Sequence, residues 1–141
     1  EKYSQKAADK CVPLDSELIK EAIPLFTQIH HCGSVLAEVF FAMMISRILY
    51  GSVPAPGTML IFSILLATCS IGTPGLPWGT VMVSLGTLTG ILKFGDSGLA
   101  LMFAVFALND AFAAACNATC DGAAALFLTG YVKRHDFSNR L

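Results

Sequence analysis

The sequence predicts an all-α membrane protein built as a long helix, a re-entrant helical hairpin and a second long helix. Three observations carry that prediction. The 141 residues are 55% hydrophobic and only 13% charged, against about 25% charge in an ordinary soluble domain. Residues 53–92 hold no charge at all, and most charges sit near the two ends. Within that uncharged stretch, the polar break Ser70-Ile71-Gly72-Thr73-Pro74-Gly75-Leu76-Pro77 separates two short apolar runs, residues 57–69 and 78–92. A spanning helix needs about twenty apolar residues, so each run is too short to cross. Two half-length runs meeting at a Gly/Pro break read as a hairpin that enters the bilayer and returns. Irregular backbone at that depth is tolerated where it lines a cavity or is buried in protein, and in transporters such breaks point to the binding site.

The elements follow in order. Residues 1–22 are polar and amphipathic, a connector in which Asp15 or Ser16 can cap a helix by accepting from first-turn N–H groups. Residues 23–50 form one apolar segment long enough to span, although it carries Gln28, His30, His31, Glu38 and Arg47. Such groups face protein or water rather than lipid. Two prolines and two glycines in residues 51–57 mark a turn. The hairpin then occupies residues 51–97, with its tip at 70–77 and a closing polar turn, Lys93-Phe94-Gly95-Asp96-Ser97-Gly98. The last long helix covers residues 98–133 and is rich in alanine, and Lys133-Arg134 beside it biases the tail, residues 134–141, to the cytoplasm.

Other classes find little support. A net charge of −1 without a basic stripe argues against nucleic-acid binding. Cys11, Cys32, Cys69, Cys116 and Cys120 form no CxxC pair and read as reduced packing residues. Adjacent helical residues diverge by 100°, so His30, His31 and Cys32 do not converge on one transition metal; no transition metal and no cofactor are expected.

The last helix holds the most informative cluster. Asp110, Asn117 and Asp121 are spaced i, i+7 and i+11, which places them near 0°, 340° and 20° on one stripe. A carboxylate at a membrane helix centre costs at least about 2.5–3.5 kcal/mol. The alanines around the stripe, Ala107, Ala111, Ala114 and Ala118, let another backbone approach closely. Carboxylates, amides and free backbone carbonyls are the ligands that hard cations take, and a glycine-rich break supplies such carbonyls. The alternative is that Asp110 caps the helix and Asp121 lies near its wet end. Eleven residues separate the two carboxylates by about 16 Å, too far to share a catalytic proton, so an enzyme is not expected.

These residues resemble the dicarboxylate/amino acid:cation symporters, the family of the glutamate and neutral amino-acid transporters. The family's second hairpin tip reads S-I-G-T-x-G-V-P, and its last helix carries D-x-x-R-T-x-x-N-x-x-G-D, with Asp110, Asn117 and Asp121 in register. The resemblance covers essentially the whole chain. It implies half of an inverted-repeat transport domain, part of a longer protein in an inner or cell membrane. It also implies a scaffold-mediated trimer and an elevator-like motion with the hairpin as lid.

Residue by residue, the resemblance implies that Asp110 binds the amino group of a substrate and Asn117 contacts it. Ala113, Ala114, Ser34, Gly72 and Leu76 complete the implied substrate set. Asp121 and the Asn117 carbonyl would hold one sodium ion, and the carbonyls of Ser70, Ile71 and Thr73 with Gln28 another. Several positions depart from the pattern. Ala113 and Ala114 stand where acidic-substrate members have Arg and Thr; a methyl cannot clamp a carboxylate as a guanidinium does. The family's N-M-D-G-T becomes His30-His31-Cys32-Gly33-Ser34, and the serine-rich first tip becomes Lys6-Ala7-Ala8-Asp9-Lys10-Cys11-Val12-Pro13. The expected function is therefore sodium-coupled symport of a small, neutral amino acid. A proton-coupled carrier of organic acids or amines, or a non-transporting fragment, is the alternative. His30 is a candidate proton site or a core imidazole, and Glu38 is a candidate proton site, an inter-helix partner or part of a wet face.

Overall fold

The computed structural model describes residues 16–73 and 79–135, which form five helices and, among those residues, no strand. The helices are α1 (Ser16–Ile29), α2 (Cys32–Tyr50), α3 (Pro56–Ile71), α4 (Gly79–Gly90) and α5 (Asp96–Arg134). The expected first hairpin end, including Lys6 to Pro13, lies outside the described residues, as do Leu76 and the rest of the 74–77 tip and the tail beyond His135.

The expected single helix over residues 23–50 is corrected by the structure. Helix α1 ends at Ile29, His30 and His31 are not helical, and α2 starts at Cys32. The His30 N–H still reaches back to the Phe26 carbonyl at 2.8 Å, and the Val35 N–H takes the His31 carbonyl at 2.9 Å. His31, at φ −114° and ψ 36°, leaves the helical path without capping α2 through its side chain. The first-turn amides of α2 must therefore find acceptors elsewhere, because a helix start leaves four N–H groups unmatched.

The two ends of the hairpin region are set by local chemistry. Gly51 ends α2 in the left-handed conformation, φ 75°, which glycine adopts without a Cβ clash. Arg47, in the last turn, donates to the Gly51 carbonyl, as suits a cation at a helix C-terminus. Pro56 then opens α3, where its missing N–H costs nothing. Helices α3 and α4 have 16 and 12 residues, each shorter than a span requires. They pack against each other and both meet α2; α3 also meets α1, and α4 also meets α5.

At the base of this pair the Tyr50 hydroxyl accepts the Gly95 N–H at 3.0 Å, and the Tyr50 and Phe94 rings lie 5.6 Å apart. A Cβ on Gly98 would sit 2.8 Å from the Tyr50 hydroxyl, so a larger residue there would push the Tyr50 side chain aside.

Helix α5 has 39 residues, about 58 Å long, and α1 and α2 run antiparallel beside it. Ile19 and Ile23 of α1 pack with Ala125 near its far end. The main core joins Ala42 and Ile45 of α2, Met59, Phe62 and Leu66 of α3, Val81 and Leu88 of α4, and Met102 and Phe106 of α5. Two stretches, Leu18–Tyr50 and Asp96–Val132, are long and apolar enough to cross a membrane. Large apolar side chains also cover the outside, with Leu36, Leu108, Phe112 and Phe127 each more than two-thirds exposed. A water-facing surface rarely carries such a coat; lipid or further protein accommodates it.

Candidate functional site at the break between the first two helices

The break at His30 and His31 is stitched to the middle of α5. The Gly33 N–H, an unmatched donor of the first turn of α2, gives its hydrogen bond to Asn117 Oδ1 at 2.7 Å. Asn117 Nδ2 in turn donates to Ser34 Oγ at 3.1 Å. An asparagine from another helix thus performs the work of an N-cap. One turn further along α5, Asp121 Oδ1 lies 3.0 Å from His30 Nδ1, with the carboxylate only 3% exposed and the imidazole 35%. These two rungs, Asn117 to Gly33 and Ser34 and Asp121 to His30, tie the break between α1 and α2 to α5.

Glycine makes the seam possible. A Cβ on Gly33 would come within 2.6 Å of the Ala113 carbonyl oxygen, 2.7 Å of Cys116 Cβ and 3.1 Å of Asn117 Oδ1. Ala113 is itself buried. Close backbone approach through small residues is how membrane helices pack without a hydrophobic driving force.

An open groove of about 490 Å³ lies beside the seam, lined by His30, His31, Val35, Ser63, Ser70 and Ile71 among others. It sets the helix break against the last turn of α3, where the tip begins. The α3 end is tightly tied. Thr73 Oγ1 donates to the Ser70 carbonyl at 2.7 Å, and the Thr73 N–H reaches the same oxygen at 3.1 Å. Ser70 and Thr73 are buried, whereas Ile71 and Gly72 are exposed.

Of the residues singled out from the sequence, the fold brings together His30, Ser34, Asn117 and Asp121 in the seam, and His30 with Ser70 and Ile71 in the groove. Gln28 and Ala114 are exposed. Asp110, two helical turns from Asn117 along the same stripe, is half-buried and makes no hydrogen bond or ion pair among the described residues.

Glu38 is fully buried in α2 and accepts a hydrogen bond from Ser84 of α4. Its other oxygen, Oε2, has no partner among the described residues. Glu38 is therefore an inter-helix partner and not part of a wet face. Two participants went unread in the sequence: Gly33, whose signal is its place beside two polar residues, and Ser84. Ser84 meets Glu38 from far along the chain, and no local pattern announces that contact.

Two stretches long and apolar enough to cross a membrane, joined through a short helix pair, fit a helical membrane protein. Residues 4–130 match the family described as Sodium:dicarboxylate symporter family, and the chain belongs to that family. No curated protein and no solved structure matches it.

Proposed function

We propose that this chain carries part of the transport core of a secondary symporter, coupled to sodium, for a small amino acid without an acidic side chain. The observation that carries this reading is the stitched break. Asn117 and Asp121 are held at fixed positions by His30, Gly33 and Ser34, beside a groove that reaches the hairpin end at Ser70 and Ile71. Asp110, with no partner among the described residues, is the carboxylate free to take a substrate ammonium group. Ala113 offers no cation to a side-chain carboxylate, which favours serine- or alanine-sized solutes over aspartate. The α3–α4 pair acts as a re-entrant hairpin whose tip carbonyls, from Ser70, Ile71 and Thr73, meet the cation. The full protein sits in the cell membrane as a trimer held by scaffold helices, and this unit moves against them.

Asp110→Asn tests the substrate role. In liposomes holding the full-length protein, its uptake of labelled serine or alanine is expected to fall at least tenfold, because the ammonium loses its counter-charge. Uptake equal to that of the unsubstituted protein refutes amine binding at Asp110.

One observation favours a second reading, proton-coupled carriage. The His30 imidazole occupies the Asp121 oxygen to which the sodium reading assigns an ion, and Glu38 is a second buried carboxylate in the same unit. Uptake driven by an inward proton gradient in sodium-free buffer distinguishes this reading from the first.

A further inference from the structure

We infer that the cavity at the base of the short helix pair binds a phosphate group, either as inorganic phosphate or on a lipid headgroup. The cavity holds about 280 Å³ and is lined by Ser46 and Tyr50 of α2, Ser52 of the following turn, Thr58 of α3 and Lys93 beyond α4, among others. That volume lies just under the range usual for organic ligands, about 300–1,000 Å³, and suits a group of phosphate size. Four hydroxyl-bearing residues and one lysine line it, and no carboxylate among the described residues does. Ser46 is 3% exposed, yet its hydroxyl makes no hydrogen bond among the described residues. A helical serine can return its proton to a carbonyl of the preceding turn, as Ser63 and Ser70 do here. The Ser46 hydroxyl is instead a buried donor left for a ligand. The Tyr50 hydroxyl accepts the Gly95 N–H at 3.0 Å, which leaves its own proton to give. A ligand that carries negative charge and several acceptor oxygens matches this set of donors.

Lys93 is held at the cavity at a conformational cost. At φ 57° it is the one described non-glycine residue with positive φ, a region that residues with a Cβ disfavour. The chain just beyond it is fixed: the Phe94 N–H reaches back to the Leu88 carbonyl at 3.1 Å, and the Phe94 ring packs on Tyr50. Strain in so well tied a turn points to a role for the side chain that bears it. Lys93 has no ion-pair partner among the described residues. The carbonyl end of α2, which would repel an anion, is engaged by Arg47 at Gly51. The first turn of α3, which contains Thr58, offers unmatched N–H groups and the positive end of its dipole. The cavity also lies where the apolar stretches Leu18–Tyr50 and Asp96–Val132 meet their polar turns, the level at which a bilayer places its headgroups. Ile48 and Val53, sequence neighbours of the lining residues, are 64% and 52% exposed and give the acyl chains of a lipid an apolar surface.

The inference stands apart from the transport reading, because the cavity lies at the opposite end of α2 from the seam and its test reads binding alone. Thermal unfolding of the full-length protein in non-ionic detergent is followed with added phosphatidylglycerol, with inorganic phosphate, and with diacylglycerol, which lacks the phosphate. The unsubstituted, Lys93→Gly and Ser46→Ala proteins are compared. Glycine suits the backbone at Lys93, so Lys93→Gly removes the charge and keeps the fold, and without ligand it is expected to unfold at or above the unsubstituted midpoint. Phosphatidylglycerol is expected to raise the unsubstituted midpoint, and diacylglycerol is not. The phospholipid concentration giving half the rise is expected to increase about tenfold or more in Lys93→Gly and by a smaller factor in Ser46→Ala, as loss of a charged and of a neutral donor requires. A rise with inorganic phosphate alone, weakened by the same two substitutions, supports the site and assigns it to free phosphate. No rise with either phosphate source, an equal rise with diacylglycerol, or an unchanged response in Lys93→Gly would each overturn the inference.

Discussion

Replacing Gly33 by alanine is expected to force α2 and α5 apart and to abolish whatever activity depends on their seam. The added methyl would stand 2.6 Å from the Ala113 carbonyl oxygen and 2.7 Å from Cys116 Cβ. Neither is the far end of a flexible side chain, so the helices themselves must separate. Overpacking of this kind costs about 1–3 kcal/mol. Separation also stretches the hydrogen bond from the Gly33 N–H to Asn117 Oδ1, and membrane-buried side-chain bonds average about 0.6 kcal/mol each. Gly130→Ala is the control: it lies in the same α5 helix with nothing within 4 Å of its added Cβ, and alanine there is expected to be neutral or stabilising by up to about 1 kcal/mol. Thermal unfolding of the three proteins in one detergent checks this. Equal midpoints for Gly33→Ala and the unsubstituted chain would contradict the seam.

The second large effect is expected at Asp121. Asp121→Ala removes the side-chain partner that His30 has among the described residues and leaves a cavity in a position that is 2% exposed. A polar group left without its partner costs about 1–3 kcal/mol, toward the lower end here because His30 still reaches solvent. Asp121→Asn keeps an acceptor for His30 but removes the charge. It is expected to melt near the unsubstituted protein while losing cation-dependent uptake. The two variants separate structural support from ion coupling: equal stability of Ala and Asn variants would remove the structural role of the His30 contact, and full cation-dependent uptake by the Asn variant would remove the electrostatic one.

Much of the architecture was legible because it rests on composition and punctuation. The uncharged stretch, the Gly/Pro turn at residues 51–57 and the polar turn at 93–98 located the short helix pair and the last helix to within a few residues. The break at His30 and His31 was not legible, because no glycine or proline stands there. Pro24, the one proline nearby, lies inside α1 and does not end it. Tertiary bonds bridge the break, with Asn117 and Asp121 taking up groups at Gly33, Ser34 and His30. The stripe of Asp110, Asn117 and Asp121 followed from helical geometry alone; that two of the three face the break, while Asp110 does not reach it, followed only from packing. Glu38 illustrates the same limit. Its burial against Ser84 depends on how α4 folds back across α2, and sequence spacing could exclude only its pairing with Arg47.

The central claim is that a cation gradient drives this family member to accumulate a small neutral amino acid. Uptake of labelled serine, alanine and aspartate by liposomes containing the full-length protein, with and without an inward sodium gradient, tests it most directly. The account predicts accumulation of serine or alanine above equilibrium only with the gradient, and little accumulation of aspartate. Gradient-independent equilibration of all three, or accumulation of aspartate alone, would contradict it.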